Sequence, residues 1–132
     1  MYPKELVDKI RRETVSFGLV ELKSEQEVKK AFSENSFILF FNSVCGCTSR
    51  VVRPGLALLV KDTKIPIYSV FAGADFSACE YARSLIKGYP PSSPSLFIIK
   101  NGEVLFALER QQLHSMTGED VYSEVVSFLK EV

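Results

Sequence analysis

The apolar segment S-F-I-L-F-F at residues 36–41 constrains the fold more than any other part of the sequence. It is continuous and rich in aromatic side chains, so it predicts a strand over residues 36–43 that is buried on both faces. The segment I-P-I-Y-S-V-F-A at residues 65–72 predicts a second core strand of the same kind. Such strands need helices on both sides of their sheet. The predicted fold class is therefore α/β.

The rest of the chain supplies those helices and three shorter strands. Periodic apolar positions predict helices at 4–16, 48–61, 75–87 and from Thr117 onward, and a capping box at Ser24 and Glu27 predicts one more. Shorter strands are predicted at 19–22, 95–100 and 103–110. The order α, βαβαβ, α, ββ, α predicts one domain over residues 1–132, with a mixed central sheet flanked by helices.

Single residues mark turns and helix boundaries within this order. Asn101-Gly102 predicts a tight hairpin, so the last two strands should run antiparallel. Asp75 is a candidate N-cap of the helix at 75–87, and Gly88 is its expected stop. Pro54 lies inside the predicted helix at 48–61 and is expected to kink it.

Charge and composition exclude several classes of function. Sixteen basic residues balance sixteen acidic ones, with no basic block, so nucleic acid and membrane surfaces are not expected partners. The longest apolar runs are too short to cross a bilayer, and the N-terminal residues lack the pattern of a signal peptide. We therefore expect a cytoplasmic protein with reduced thiols, because its three cysteines are also too few for a disulfide scaffold.

Two of these cysteines, Cys45 and Cys47, directly follow the core strand in N-S-V-C-G-C-T-S-R at residues 42–50. A helix is predicted to begin there, and its free N–H groups and dipole stabilise a thiolate, which is the nucleophilic form of cysteine. Arg50 and Arg53 could add positive charge to the site, or they could be solvated surface residues. The pattern predicts thiol chemistry with Cys45 as nucleophile and Cys47 as resolving or auxiliary thiol.

The one-residue spacing of the pair bears on its redox behaviour. A Cys45–Cys47 bond needs a turned backbone, which Gly46 can supply, and it closes a strained small ring. We expect this bond to be reduced more easily than one across two residues, which suits disulfide transfer or isomerisation. Two alternatives remain: Cys-x-Cys as a site for Zn²⁺ or Cu(I), and an adaptor that binds partners without chemistry.

The third cysteine and the single histidine are predicted to have structural rather than catalytic roles. Cys79 lies on one predicted helical face, which favours packing in the core over a resolving or regulatory role; the other members of that face are Phe76, Ala82, Arg83 and Ile86. His114 is expected at the surface beyond the last strand rather than as a catalytic base.

Several motifs together resemble those of the bacilliredoxin family, which are thioredoxin-like proteins with a Cys-Gly-Cys active site. They are N-S-V-C-G-C at 42–47, R-P at 53–54, V-F-A-G at 70–73, G-Y-P-P-S-S-P-S-L at 88–96 and L-E-R at 108–110. The resemblance covers nearly the whole chain. It implies a thioredoxin-like domain with an additional N-terminal helix.

The resemblance also implies a reaction and a substrate site. Cys45 would attack a mixed disulfide between a client protein and the low-molecular-weight thiol bacillithiol, take up that thiol and release the client reduced. Bacillithiol is then a co-substrate, and no cofactor is expected; related proteins are also described as disulfide isomerases. Pro94 is implied to be cis and, with Ser93 and Gly46, to form the backbone against which the substrate lies.

The chain departs from thioredoxins in one respect that bears on mechanism. Thioredoxins carry a buried acid in the strand before their first cysteine, whereas no acid occurs here from Ser36 to Cys47. Some relatives have a histidine after the L-E-R motif, and this chain has Gln111. Because the missing acid leaves attack by Cys47 without an efficient general base, we do not expect an efficient thioredoxin-like reductase.

Overall fold

Five strands form one mixed sheet in the computed structural model, which describes residues 3–43 and 46–131 and the side chains of residues 3–43 and 52–130. The strands are β1 (Val20–Glu21), β2 (Ser36–Asn42), β3 (Ile67–Phe71), β4 (Ser95–Lys100) and β5 (Glu103–Leu108). Their order in the sheet is β1-β3-β2-β4-β5. β2 runs parallel to β3 and antiparallel to β4, so the sheet is mixed, as predicted.

Helices cover both faces of the sheet. They are α1 (Lys4–Phe17), α2 (Glu25–Ala31), α3 (Gly46–Asp62), α4 (Phe76–Leu85), α5 (Arg110–Leu113) and α6 (Gly118–Glu131). None of those in the described ranges has the length and apolar character needed to cross a membrane.

The central strand β2 explains why both faces are covered. Ile38 and Phe40 join the core cluster beneath α3 and α6, and Phe37, Leu39 and Phe41 join the cluster beneath α2 and α4. All five side chains are fully buried. Successive side chains of a strand point to opposite faces, so a continuous apolar run predicts burial on both faces, and the structure confirms it.

Two ion pairs fasten the N-terminal helix α1 to the sheet and to α4. Arg11 donates to Glu21 Oε1 and to Asp75 Oδ1, both at 2.8 Å, and its guanidinium lies over the Phe71 ring. Burial alone would lower the pKa of Arg11, but the hydrogen bonds to these two carboxylates outweigh it and raise that pKa overall.

The boundaries of α4 differ from the prediction. Asp75 occupies the N-cap position, but its side chain makes no capping hydrogen bond, because it is engaged by Arg11 of α1. The helix ends at Leu85, before Gly88, whose φ of +92° places it in the turn that follows.

A short helix at the end of β5 was not predicted. The strand predicted at 103–110 ends at Leu108, and α5 follows, opened by a capping box in which Glu109 and Gln112 exchange hydrogen bonds. Glu is not among the residues that mark an N-cap in a sequence, so this pair gave no signal for the helix. The helix predicted after Thr117 is confirmed, and Thr117 caps it by a mutual exchange with Asp120.

Candidate active site

The central strand and the helix that follows meet where the sequence placed the cysteine pair. β2 ends at Asn42 and α3 begins at Gly46, so Cys47 lies in the first turn of the helix. The first N–H groups of a helix have no partner within it and carry its positive end. Cys45 lies outside the described residues, as do the side chains of Cys47 and Arg50, and their predicted roles stay predictions.

The polar residues that end β2 are buried and held by hydrogen bonds. Asn42 and Ser43 are both 1% exposed. The side-chain oxygen of Asn42 accepts from the Ser43 N–H at 2.9 Å, and the backbone carbonyl of Asn42 accepts from the Ala72 N–H at 2.9 Å. Buried polar groups cost free energy unless they are paired, so these bonds fix the backbone that leads into the cysteine pair.

Arg53 reaches back from α3 to this same point. It is 6% exposed, its Nη1 donates to the Ser43 carbonyl oxygen at 3.4 Å, and its Nε donates to Glu13 Oε1 at 2.9 Å. Of the two interpretations of Arg53 from sequence, the solvated surface residue is therefore wrong. The structure places a buried positive charge against the residue two positions before Cys45.

Glu13, on α1, is the part of this arrangement that sequence reasoning missed. Its contact with Arg53 joins residues 40 positions apart. Along α1 it is one of several charged residues on the polar face, and no local pattern distinguishes it from the others.

A loop with a cis proline ends at the same edge of the sheet. The Ser93–Pro94 peptide bond is cis, as the resemblance implied, and Pro94 is buried while Ser93 is half-buried. β4 begins with Ser95 paired opposite Phe41 of β2. Because these strands are antiparallel, the residues before Ser95 lie at the end of the pair where β2 runs on toward Cys45.

The remaining sequence candidates lie elsewhere. Cys79 is 8% exposed and belongs to the core cluster beneath α2 and α4, so core packing is confirmed. His114 is exposed at the end of α5, as expected. Among the side chains described, which do not include those of Cys45 and Cys47, no three of His, Cys, Asp and Glu gather as metal ligands, and a Cys-x-Cys metal site stays an alternative prediction.

Known proteins resemble this chain over nearly its whole length. The family model described as Disulphide isomerase matches residues 2–132. A bacilliredoxin of Bacillus cereus is 35% identical over 133 residues, covering 98% of this chain and 92% of the relative. The chain belongs to the bacilliredoxin family. A second bacilliredoxin, from Salinibacter ruber, is 33% identical over 135 residues, covering 98% of this chain and 78% of its own.

Solved structures place this chain in the thioredoxin fold. Mitochondrial thioredoxin 3 of Saccharomyces cerevisiae superposes with a TM-score of 0.62 at 11% identity, covering 91% of this chain and 99% of the other. Fasciola hepatica thioredoxin superposes with a TM-score of 0.62 at 12% identity, covering 86% and 98%. The thioredoxin-like domain with an extra N-terminal helix is thus confirmed. Together with the family, it makes the protein a thiol–disulfide oxidoreductase.

Proposed function

We propose that the protein removes bacillithiol from mixed disulfides on cytoplasmic client proteins, with Cys45 as the nucleophile. One observation carries the proposal: the strand-to-helix junction that holds the Cys-Gly-Cys sequence lies at the same edge of the sheet as the cis Ser93–Pro94 bond. The first element supplies a thiolate, and the second supplies backbone for an extended substrate segment. Membership of the bacilliredoxin family supports the choice of bacillithiol as the thiol that is removed.

The first step is a thiol–disulfide exchange. The Cys45 thiolate attacks the bacillithiol sulfur of the mixed disulfide, a Cys45–bacillithiol bond forms, and the bond to the client breaks. The client sulfur leaves as a thiolate and takes a proton from solvent. The client is reduced, and Cys45 becomes the oxidised partner.

The second step frees the enzyme from its adduct. In one route the Cys47 thiolate attacks Cys45, which releases bacillithiol as a thiolate and leaves a Cys45–Cys47 disulfide for an external dithiol to reduce. In the other route a second low-molecular-weight thiolate attacks the bacillithiol sulfur, the bond to Cys45 breaks, Cys45 leaves as a thiolate, and a low-molecular-weight disulfide is released. The strain of the small ring that Gly46 must span favours rapid exchange over long storage as a disulfide.

Positive charge supports the nucleophile in this scheme. Arg53 is buried beside the Ser43 carbonyl, and Arg50 is one turn nearer to the start of α3. A cation near a thiol favours its ionised form and so raises the reactive fraction at neutral pH.

Removal of bacillithiol from a purified client protein tests the proposal. Wild type and Cys47→Ser are expected to release bacillithiol from the client, and Cys45→Ser is expected to be inactive. Cys79→Ala is the matched control because its thiol is buried in the core, and it should act as wild type does. Equal activity in Cys45→Ser would overturn the assignment.

The description of the matching family model supports a second candidate function, protein disulfide isomerisation. An isomerase must capture a client sulfur rather than bacillithiol, and it restores the client without net reduction. Recovery of native disulfides in a scrambled protein, measured without bacillithiol, tests this candidate. A rate above that of Cys45→Ser would support it, and a rate equal to that of Cys45→Ser would exclude it.

A further inference from the structure

Arg83 lies beneath the cis-proline loop, residues 89–94. It stands in the last turn of α4, and its guanidinium carbon is 4.4 Å from the centre of the Phe41 ring. Its Nη2 donates to the Ser92 carbonyl oxygen at 3.1 Å. It therefore contacts the strand that leads to Cys45 and the loop that leads to Pro94.

The charge of Arg83 is directed to the loop and not to an acid. Arg11 and Arg53 both form ion pairs with carboxylates. Among the acidic side chains that the structure describes, none is paired with Arg83. A cation stacked on an aromatic ring keeps its donors in one plane, which suits a fixed hydrogen bond to a neighbouring carbonyl.

The loop has few other attachments. Residues 89–94 make no hydrogen bond between backbone groups in the part of the chain described, and neither Pro90 nor Pro91 has an N–H to donate. The Ser92 hydroxyl is buried and finds no partner among those residues. Besides the Tyr89 ring, which packs on Phe97 with centroids 5.3 Å apart, the loop is held at the Ser92 carbonyl, which accepts from Arg83 and from the Ser95 hydroxyl, the latter at 2.9 Å.

These two donors hold the carbonyl of Ser92, the residue that precedes the cis Ser93–Pro94 pair. Ser95 Oγ approaches the Ser92 carbonyl from the start of β4, and Arg83 approaches it from α4. A carbonyl oxygen has two lone pairs, so both can be used at once. Ser93 and Pro94 therefore lie between a hydrogen-bonded Ser92 carbonyl and Ser95, which is paired with Phe41 in the sheet.

We propose that Arg83 is a positioning residue that holds the Ser92–Pro94 backbone in the conformation that pairs with an extended client segment. The inference rests on the proposed function, because it assumes that clients bind along this loop. Arg83 acts through Ser92 and not on the reacting sulfur atoms. It should therefore matter for protein substrates and not for small disulfides, which have no backbone to pair.

Two substrates separate this role from a general one. Arg83→Met keeps an apolar stem over Phe41 but removes the charge and the donors. We expect its rate constant with a bacillithiol-modified protein to fall on the order of tenfold, as loss of one charged hydrogen bond implies. Its rate constant with a small aromatic disulfide should stay within about twofold, because the cysteine site is untouched.

Two further variants complete the comparison. Arg83→Lys keeps a charge and a donor without the planar fork, so its rate constant with the protein substrate should lie between those of wild type and Arg83→Met. Lys87→Met is the matched control, because it removes an exposed positive charge just beyond the same helix. It should behave as wild type does with both substrates.

Hydrogen–deuterium exchange of residues 92–97 measures the positioning without any reaction. Exchange should be faster in Arg83→Met than in wild type or Lys87→Met. Unchanged exchange in Arg83→Met, or equal losses of rate with both substrates, would overturn the proposal. If Arg83→Met does not fold, Arg83→Lys tests the positioning role instead. A rate constant with the protein substrate and an exchange of residues 92–97 that both equal those of wild type would then overturn the proposal. A wild type that is inactive on the protein substrate would refute the proposed function, while the exchange result would still decide the role of Arg83.

Discussion

Replacing Arg53 tests how the N-terminal helix is coupled to the cysteine site. Its side chain, 7% exposed, joins Glu13 of α1 to the Ser43 carbonyl at the end of β2. Arg53→Met keeps most of the buried stem and removes both hydrogen bonds. Glu13→Gln keeps an acceptor for Arg53 and removes only the negative charge.

The geometry sets the expected loss of stability. Glu13 is 41% exposed, so solvent screens the ion pair, and its coupling should be about 0.5–1 kcal/mol. The bond to Ser43 is long at 3.4 Å, and leaving a buried carbonyl with one donor fewer costs about 1 kcal/mol more. Arg53→Met should therefore lower the free energy of unfolding by roughly 2 kcal/mol and the melting temperature by roughly 6–10 °C.

The same variant should change the reactivity of the cysteine site. Loss of a buried cation disfavours the thiolate, so the pH midpoint for alkylation of Cys45 should move upward in Arg53→Met. Glu13→Gln leaves Arg53 less neutralised, so it should move the midpoint downward. Chemical denaturation and the pH dependence of alkylation measure the two effects.

Arg12→Met is the control for this pair of variants, because it removes an exposed charge beside Glu13 that makes no ion pair within the described ranges. It should change neither measurement. If Arg53→Met matches wild type in both stability and pH midpoint, the inferred coupling between α1 and the cysteine site is refuted.

Three further predictions concern packing and titration. A Cβ on Gly55 would lie 2.5 Å from the Gly118 carbonyl oxygen. Although alanine favours helices, Gly55→Ala should therefore lower the free energy of unfolding by about 1–3 kcal/mol, measured by chemical denaturation. A higher stability would contradict the close contact of α3 and α6. Burial, together with Glu34, raises the pKa of Tyr68 above its ordinary value of 10.0, so the folded state keeps this proton to a higher pH than the unfolded state does. The free energy of unfolding should therefore fall above about pH 10, and it should fall less steeply in Tyr68→Phe. Equal slopes in the two proteins would contradict that assignment. Cys79→Ala should leave the pH profile of Cys45 alkylation unchanged, since Cys79 is packed in the core, and an altered profile would give Cys79 a redox role.

Local sequence patterns were sufficient for most of the fold. The unbroken apolar run at 36–41 predicted a strand covered on both faces, and β2 is such a strand. Thr117 and the Asn101-Gly102 turn also acted as predicted, since caps and tight turns depend on residues a few positions apart. Cys47 lies in the first turn of α3, close to the helix start that the local sequence predicts.

Contacts between distant residues could not be predicted in this way. Asp75 has the residue type of an N-cap, but Arg11, 64 positions away, engages its side chain. Glu13 and Arg83 carry no local signal for their contacts with Arg53 and Ser92, which exist only once α1 and α4 pack on the sheet. The cis state of the Ser93–Pro94 bond followed from the family resemblance alone, because cis is a minority state of such bonds.

Trapping the reaction intermediate tests the central claim most directly. Cys47→Ser, incubated with a bacillithiol-modified client and analysed by intact-mass and peptide mass spectrometry without reductant, should accumulate bacillithiol on Cys45 while the client becomes free of it. The client itself joined to Cys45, or bacillithiol found on Cys79, would contradict the account.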